Sequence, residues 1–420
     1  MSAFSSSDST IFSSDSAIHD GPNPPLASDQ TAPLETVPRL RSLLQLALLP
    51  GIGPRTLSSL IARFGDPDHV LQATQHELSE VHGVGPRIVH TIQTATDHVD
   101  VPSVMDHCLR TGVSILTQES EEYPKALKDL VDAPPLLFAK GGWLLRDSFA
   151  VAIVGTRHAT TYGLKQTERI VNELVGMGVT IVSGLARGID SASHRAALNA
   201  GGRTLAVIGG GMAEMYPPEN APLAEEIAQS GVVFSEQSPF SKPKSHMFPQ
   251  RNRLIAAMSL ATVVIEAPQR SGSMITARLA GEMGRDVMAL PGPVSSRASR
   301  GCHELIRDGA VLVQTGQDIL ELIGSVPEPI ANPLRTSATQ GEGSDTGPAV
   351  NEEDELRDAR EATLNSLELQ ILRVIGPDAI MIDEVVQRSG LPTSRVGAVI
   401  SILEVKRFIR RVGGQMVVRI

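Results

Sequence analysis

Arg251, Asn252 and Arg253 stand together in FPQRNRLIA, and Ser271-Gly272-Ser273 opens the later stretch SGSMITA, which also carries Thr276. Between them runs ATVVIEA (261–267), a buried-type strand with Glu266 at its end. Guanidinium forks, small hydroxyls and backbone amides are the groups that hold phosphate, and a helix N-terminus adds a favourable dipole. Their position, where a strand ends and a helix begins, is where open α/β sheets bind ligands. The natural guest is an anion with repeated phosphates. Gly155-Thr156-Arg157 ends an earlier apolar run, FAVAIVGTR (149–157), and Arg157 there would project into the same crevice.

Further residues add to this set or leave two readings open. In SGLARGID (183–190) two glycines bracket Arg187, which could bind phosphate or pair with Asp190; Asp190 can cap the helix carrying His194. His194 is a conceivable catalytic base, but no serine–histidine–acid or cysteine–histidine pattern surrounds it, and packing or capping is the simpler role. Gly209-Gly210-Gly211 with Tyr216-Pro217 permits either close approach of a ligand or a sharp turn. Lys242, Lys244 and Phe248 precede the arginine pair in a chain that is 3% aromatic. Cations along a backbone with a flat ring under a base is the chemistry of single-strand binding; Phe248 could equally anchor its loop in the core. Of Arg251 and Arg253, one is expected to pair with Glu236 or Glu266 and the other to meet phosphate.

The elements that position these residues follow from periodicity. From Val113 to Gln314 apolar runs ending in glycine alternate with amphipathic stretches, which predicts an α/β fold with a Rossmann-like, doubly wound parallel sheet. The strands are 149–157, 179–190, 204–211, 232–237, 261–267 and 286–292, with a helix over Tyr162–Met177 after the first. Ahead of it, 39–100 holds two copies of Gly-hydrophobic-Gly-Pro-Arg, in LLPGIGPRTLSSLI (48–61) and VHGVGPRIVHTI (81–92). That repeat predicts a helix-hairpin-helix, SAM-like domain, used for phosphate contact or as scaffold. The last part predicts a winged helix: helices over Leu367–Ile375, Ile382–Ser389 and Ser394–Arg407, then two strands about Gly413-Gly414. The expected division is a disordered acidic extension (1–38), the helix-hairpin-helix domain (39–100), the Rossmann-like core (101–324), a flexible linker (325–364) and the winged helix (365–420).

Bulk properties bound the class. The net charge is −10 over 420 residues, but it is segregated. Residues 1–38 carry five acids and no base, and 336–364 carry eight acids against two arginines, whereas 238–300 has nine Lys and Arg against three acids. The local field, not the total, decides what a groove attracts. Cys108 and Cys302 give neither a disulfide framework nor metal-ligand spacing, so no metal or cofactor is expected and a reduced, cytoplasmic setting fits. No apolar run approaches the roughly 20 residues that span a bilayer, and no signal-peptide pattern opens the chain.

The series GTRxxxxYG (155–163), SGLARGID (183–190), HRAAL (194–198), GGGxxxxYP (209–217), SEQ (235–237), FPQRNRLIA (248–256) and VVIEAPQRSGSMITA (263–277), followed by GR and PG, resembles the DprA/Smf family over about 105–315. The resemblance implies an extended Rossmann fold that binds single-stranded DNA, forms a homodimer and helps load RecA recombinase during natural transformation, without catalysis. Carried over by motif, it implies DNA contacts from Gly155, Arg157, Lys244, Phe248, Arg251, Asn252, Ser271, Gly272 and Ser273; Thr156, Arg187, Lys242, Arg253 and Thr276 join them on the chemistry above.

Two other functions compete. A phosphoribohydrolase-type enzyme on a related core would need an acid in its Gly-rich turn, whereas 270–277 reads RSGSMITA, and Glu266 is more simply an arginine's partner. A duplex-binding regulator would read DNA with the third helix of the tail, where Ser394, Arg395 and Ser401 are the residues suited to base edges.

Overall fold

The computed structural model describes residues 36–324 and, beyond them, 366–375, 380–389, 391, 396, 399–400, 403, 408–412 and 416–419. The linker expected over 325–364 lies outside these residues, as does the acidic extension apart from its last three positions.

Among the described residues seven helices come first: α1 (Thr36–Ala47), α2 (Pro54–Phe64), α3 (Pro67–Gln72), α4 (Gln75–Ser79), α5 (Pro86–Gln93), α6 (Ala95–His98) and α7 (Val101–Thr111). The two repeated turns do the same work before α2 and α5. Gly51 and Gly83 both take φ 85°, a conformation glycine adopts without strain, and Pro54 and Pro86 open the helices, where a missing N–H costs nothing. Leu46, Leu57, Leu60, Leu78, Val89 and Ile92 close a small core of their own. A second seam joins Leu44 of α1 and Val101, Val104 and Cys108 of α7 to Val113, Leu136 and Phe138 of the sheet.

The sheet has nine strands: β1 (Val113–Thr117), β2 (Leu136–Gly141), β3 (Ala150–Val154), β4 (Thr180–Ser183), β5 (Thr204–Val207), β6 (Val232–Ser235), β7 (Ala261–Val264), β8 (Asp286–Ala289) and β9 (Val311–Leu312). Their order is β1-β2-β6-β5-β4-β3-β7-β8-β9, parallel from β6 to β9. The connecting helices are α8 (Lys125–Lys128), α9 (Thr161–Gly176), α10 (Ile189–Asn199), α11 (Ala221–Ser230), α12 (Met247–Ala257), α13 (Gly272–Glu282), α14 (Arg300–Arg307) and α15 (Gly316–Ile323). Alternation along β3 sorts the two faces. Ala150, Ala152 and Val154 pack with Leu254, Ile255 and Ala277, while Val151 and Ile153 pack with Ile170, Val171 and Leu174.

One edge departs from the all-parallel expectation. β1 and β2 pair antiparallel, and β2 pairs antiparallel with β6, Phe138 opposite Ser235. The short, hydroxyl-interrupted VSILT lacks the continuous apolar run that marks a doubly covered strand, so its pattern gives no orientation.

The winding creates the site. From β3 the chain steps outward through β4 and β5 to β6, then returns to lay β7 on the other flank of β3. That reversal is a topological switch point, with a crevice above the carboxyl ends of β3 and β7.

In the C-terminal part, α16 (Ser366–Val374), β10 (Ile380–Met381), α17 (Ile382–Ser389), β11 (Ile409–Val412) and β12 (Met416–Arg419) follow in winged-helix order. The strands form a sheet ordered β10-β12-β11, over a core that includes Ile371, Leu372, Val385, Ile409 and Val417. Most of the helix expected over Ser394–Arg407, including Ser394, Arg395 and Ser401, lies outside the described residues.

Candidate functional site

A crevice of about 690 Å³ opens at the switch point. Close backbone approach builds its floor. The Thr156 amide donates to Glu266 O at 2.7 Å, tying the two strand ends together. At Gly155 a Cβ would lie 2.5 Å from Ile189 Cγ1 and 2.9 Å from Glu266 O, so the turn needs glycine there. Glu266 was expected beside an arginine; instead its buried carboxylate accepts from the Thr160 amide (2.9 Å) and hydroxyl (2.6 Å). It is committed to fixing the start of α9. Gly163 allows this, since a Cβ would fall 2.2 Å from Glu266 Oε2.

Helix α12 separates its two arginines by two residues, which turns them to different sides. Arg251 enters the crevice and is 5% exposed. Its Nη1 donates to Gly184 O (2.5 Å) and to Val207 O, while Nε has no partner. Burial pushes its pKa down to about 10, against the pull of Asp190. Arg253 turns away, with Nη2 2.5 Å from Glu236 and Nε 3.1 Å from Asp132, and it does not line the crevice. Of the two acids open to the pair, Glu236 is the partner. Asn252 donates from Nδ2 to Gly272 O at 3.2 Å and so braces the turn before α13.

At that turn Ser271 is the N-cap of α13 yet makes no capping bond; its hydroxyl lies 2.7 Å from that of Ser273. The first-turn amides of a helix lack the usual intrahelical acceptor; here the Met274 amide turns to Ser271 O at 3.2 Å, and no side chain caps those of Gly272 and Ser273, so α13 starts with uncapped donors at the crevice. Thr276 lines the same wall and donates to Gly272 O at 3.4 Å. Opposite, Arg157 is exposed and carries its guanidinium carbon 5.3 Å from the Phe248 ring centre, with no carboxylate of the described residues in ion-pair range. Phe248 is half-buried and combines both open roles: its ring would lie 3.0 Å from a Cβ on Gly209, and the rest of it faces the crevice.

Gly155, Thr156, Arg157, Phe248, Arg251, Asn252, Ser271, Gly272, Ser273 and Thr276 are thus brought together. Four expected residues are not. Arg253 is spent on acids. Arg187 lies in a smaller neighbouring recess and pairs with Glu219, not with Asp190. Lys242 and Lys244 are exposed on the loop before α12, and between and after them Pro243 and Ser245 line the crevice instead.

Sequence reasoning also missed residues. His158 and Ser245 line the crevice, and their adjacency to Arg157 and Lys244 was the available signal. Asp190 was expected to cap α10, but Gly188 is the N-cap and no side chain caps it. The Asp190 carboxyl turns to the amides of Gly184 and Ala186 and toward Arg251; burial raises its pKa, and Arg251 opposes the shift. His194 is fully buried, away from the crevice, with Nδ1 2.7 Å from the Thr204 hydroxyl. That hydroxyl donates to Ile181 O at 2.9 Å, so Nδ1 carries the proton and donates, and the ring is a packed, neutral element. Burial pushes its pKa down to about 3.

Among the residues lining the crevice the acid is Asp190, held by amides and an arginine, and no hydroxyl there has a histidine partner. The arrangement suits holding an anion. No group of three or more histidines, cysteines or acids able to bind a metal occurs among the described residues, and no helix among them is long and apolar enough to cross a membrane.

Comparison with known proteins gives three family matches along the chain. The model described as DNA recombination-mediator protein A matches 114–324, a SAM-like helix-hairpin-helix tandem matches 41–95, and a DprA winged helix domain matches 355–415. Protein Smf of Synechocystis is 37% identical over 281 residues, 66% of this chain and 71% of that protein. DNA processing protein DprA of Streptococcus pneumoniae is 47% identical over 202 residues, 47% of this chain and 70% of the relative. The X-ray structure of DprA from Streptococcus pneumoniae matches with a TM-score of 0.58 at 35% identity, covering 67% of this chain and 96% of that one.

Proposed function

The chain belongs to the DprA/Smf family of DNA recombination-mediator proteins, and from that premise we propose that its crevice holds single-stranded DNA by phosphate and base together. One observation carries the reading: an unpaired arginine lies over a half-buried phenylalanine, facing a helix that starts with uncapped amides. Arg157, Arg251 and the α13 amides take the phosphate, and the exposed part of Phe248 takes a base. A base can lie on Phe248 only once it has left its own pair and stack, which favours a single strand over a duplex. Phosphate contacts carry no sequence information, so the strand is held with little base preference.

The proposed role is non-catalytic. Glu266, the acid a hydrolase would recruit at this strand end, is committed to Thr160. On family membership, we place the protein in the cytoplasm as a homodimer that protects incoming strands during natural transformation and helps load RecA on them.

Anisotropy titrations with labelled single- and double-stranded oligonucleotides of equal length, across a salt series, test this for the wild type and Arg157→Ala. Salt-sensitive binding to the single strand, weakened by the substitution, is expected. Equal or better binding to duplex, untouched by Arg157→Ala, would move the function to the winged helix. Absence of binding to either would favour the hydrolase.

A further inference from the structure

The chemistry of the crevice continues past its rim. Arg157 lies over Phe248 at 5.3 Å; the Phe248 ring is 5.7 Å from that of Tyr216; and the Arg187 guanidinium lies 5.7 Å from the Tyr216 ring centre. Arg187 is then held by Glu219, Nε to Oε1 at 2.5 Å and Nη2 to Oε2 at 3.1 Å. Cation, ring, ring, cation and carboxylate follow one another from the end of β3 across the ends of β4 and β5. A recess lined by Arg157, Arg187, Tyr216 and Phe248 joins them.

Tyr216 differs from the other two tyrosines. Tyr123 is buried and Tyr162 half-buried, each donating its hydroxyl to a backbone carbonyl, whereas Tyr216 leaves 39% of its surface open and shares a hydrogen bond with Arg187 through its hydroxyl. An exposed ring with an arginine beside it is a stacking platform for any base. The two-point geometry of Glu219 on Arg187 is also the geometry an arginine fork uses for phosphate. With both side chains about half-exposed, that ion pair is a weak competitor for a strand's phosphate.

We infer that Tyr216 and Arg187 form a second nucleotide subsite beside the crevice, in which Tyr216 stacks a base and Arg187 exchanges Glu219 for the phosphate of a single strand. This rests on the crevice holding a single strand. Glu219 acts there as a built-in stand-in for phosphate, so removing its charge strengthens binding.

The test uses the full-length protein and a labelled single-stranded oligonucleotide across a salt series, with Arg157→Ala as the reference for the crevice. Arg187→Ala is expected to weaken binding about tenfold and to flatten the slope of log affinity against log salt by about 0.7, the loss of one phosphate contact to a single strand. Tyr216→Ala is expected to weaken binding about tenfold, while Tyr216→Phe, which keeps the ring, stays within about twofold of the wild type. Glu219→Gln is expected to tighten binding. If Arg157→Ala weakens binding but the changes at Arg187, Tyr216 and Glu219 leave it unaltered, the second subsite is overturned and the crevice reading stands. Loss at Tyr216→Phe as large as at Tyr216→Ala overturns stacking. A wild type that binds no single strand overturns both readings.

Discussion

At the scale of the residue, the two crevice arginines differ in kind, and variants separate them. Arg157 is exposed and bonded to no acid, so Arg157→Ala should leave thermal stability unchanged and weaken single-strand binding about tenfold, as loss of a phosphate contact does. Arg251 also satisfies the carbonyls of Gly184 and Val207 at two strand ends. Arg251→Ala should therefore lower fold stability by about 1–3 kcal/mol, the cost of stranding buried polar groups, besides weakening binding. Denaturation curves beside anisotropy read both effects; equal stability loss at the two positions would defeat the distinction. His194 gives a pH test. Its folded-state pKa of about 3 lies below the ordinary 6.5, so below pH 6.5 the unfolded chain takes up a proton that the folded one does not. This contribution is complete above pH 6.5 and is lost toward pH 3 by about 1.4 kcal/mol per unit. From pH 7 to 5 the wild type should lose about 2 kcal/mol more than His194→Gln in urea unfolding; parallel losses would show the ring titrating freely. The residue types were legible in the sequence, and so was the pairing of one arginine with Glu236 or Glu266, but not which arginine it would be. Only packing reveals that Arg253 is the one, that Asp132 joins Glu236 on it, and that Thr160 has already claimed Glu266.

At the scale of the element, the parallel strands were readable because burial on both faces demands unbroken apolar runs, as in β3 and β7, each ended by a tight turn. β1 and β2 were not, since VSILT and LLFAKG mix polar and apolar residues and their orientation is set by pairing with β6. The same local logic makes α13 the element whose start decides function. An uncapped N-terminus is a defect for a helix and an asset for an anion site. Ser271→Asp would supply the missing cap and an acid at the positive end of the dipole, which should hold or raise stability by up to about 1 kcal/mol. The same carboxylate would occupy the first-turn amides and repel phosphate, so single-strand affinity should fall more than tenfold. Stability and binding are then expected to move in opposite directions. Binding that survives Ser271→Asp would take α13 out of the interface.

At the scale of the whole molecule, net charge misdirects. The chain is at −10, yet 1–35 holds five acids and no base, and 325–420 holds fourteen acids against eleven bases, so residues 36–324 alone carry −2. The acidic excess lies mostly outside the part that builds the crevice, which is why composition alone pointed away from DNA. Packing crosses the boundary expected at residue 100. Leu44 of α1 is buried with Val101, Val104 and Cys108 of α7 and with Val113, Leu136 and Phe138 of the sheet, so the helical region shares a core with the sheet. A fragment of 36–324 should therefore unfold at the temperature of that core in the full chain. It should bind a single strand with equal or greater affinity, because long-range repulsion of phosphate has been reduced, and the gain should vanish as salt screens it. A fragment of 101–324 exposes the seam and should unfold at a lower temperature. Calorimetry and anisotropy on the two fragments decide the point. Affinity lost from 36–324 by more than tenfold would place the interface in the removed parts, whereas affinity kept there ties strand holding to the switch-point crevice, with the flanking segments free to set its partners.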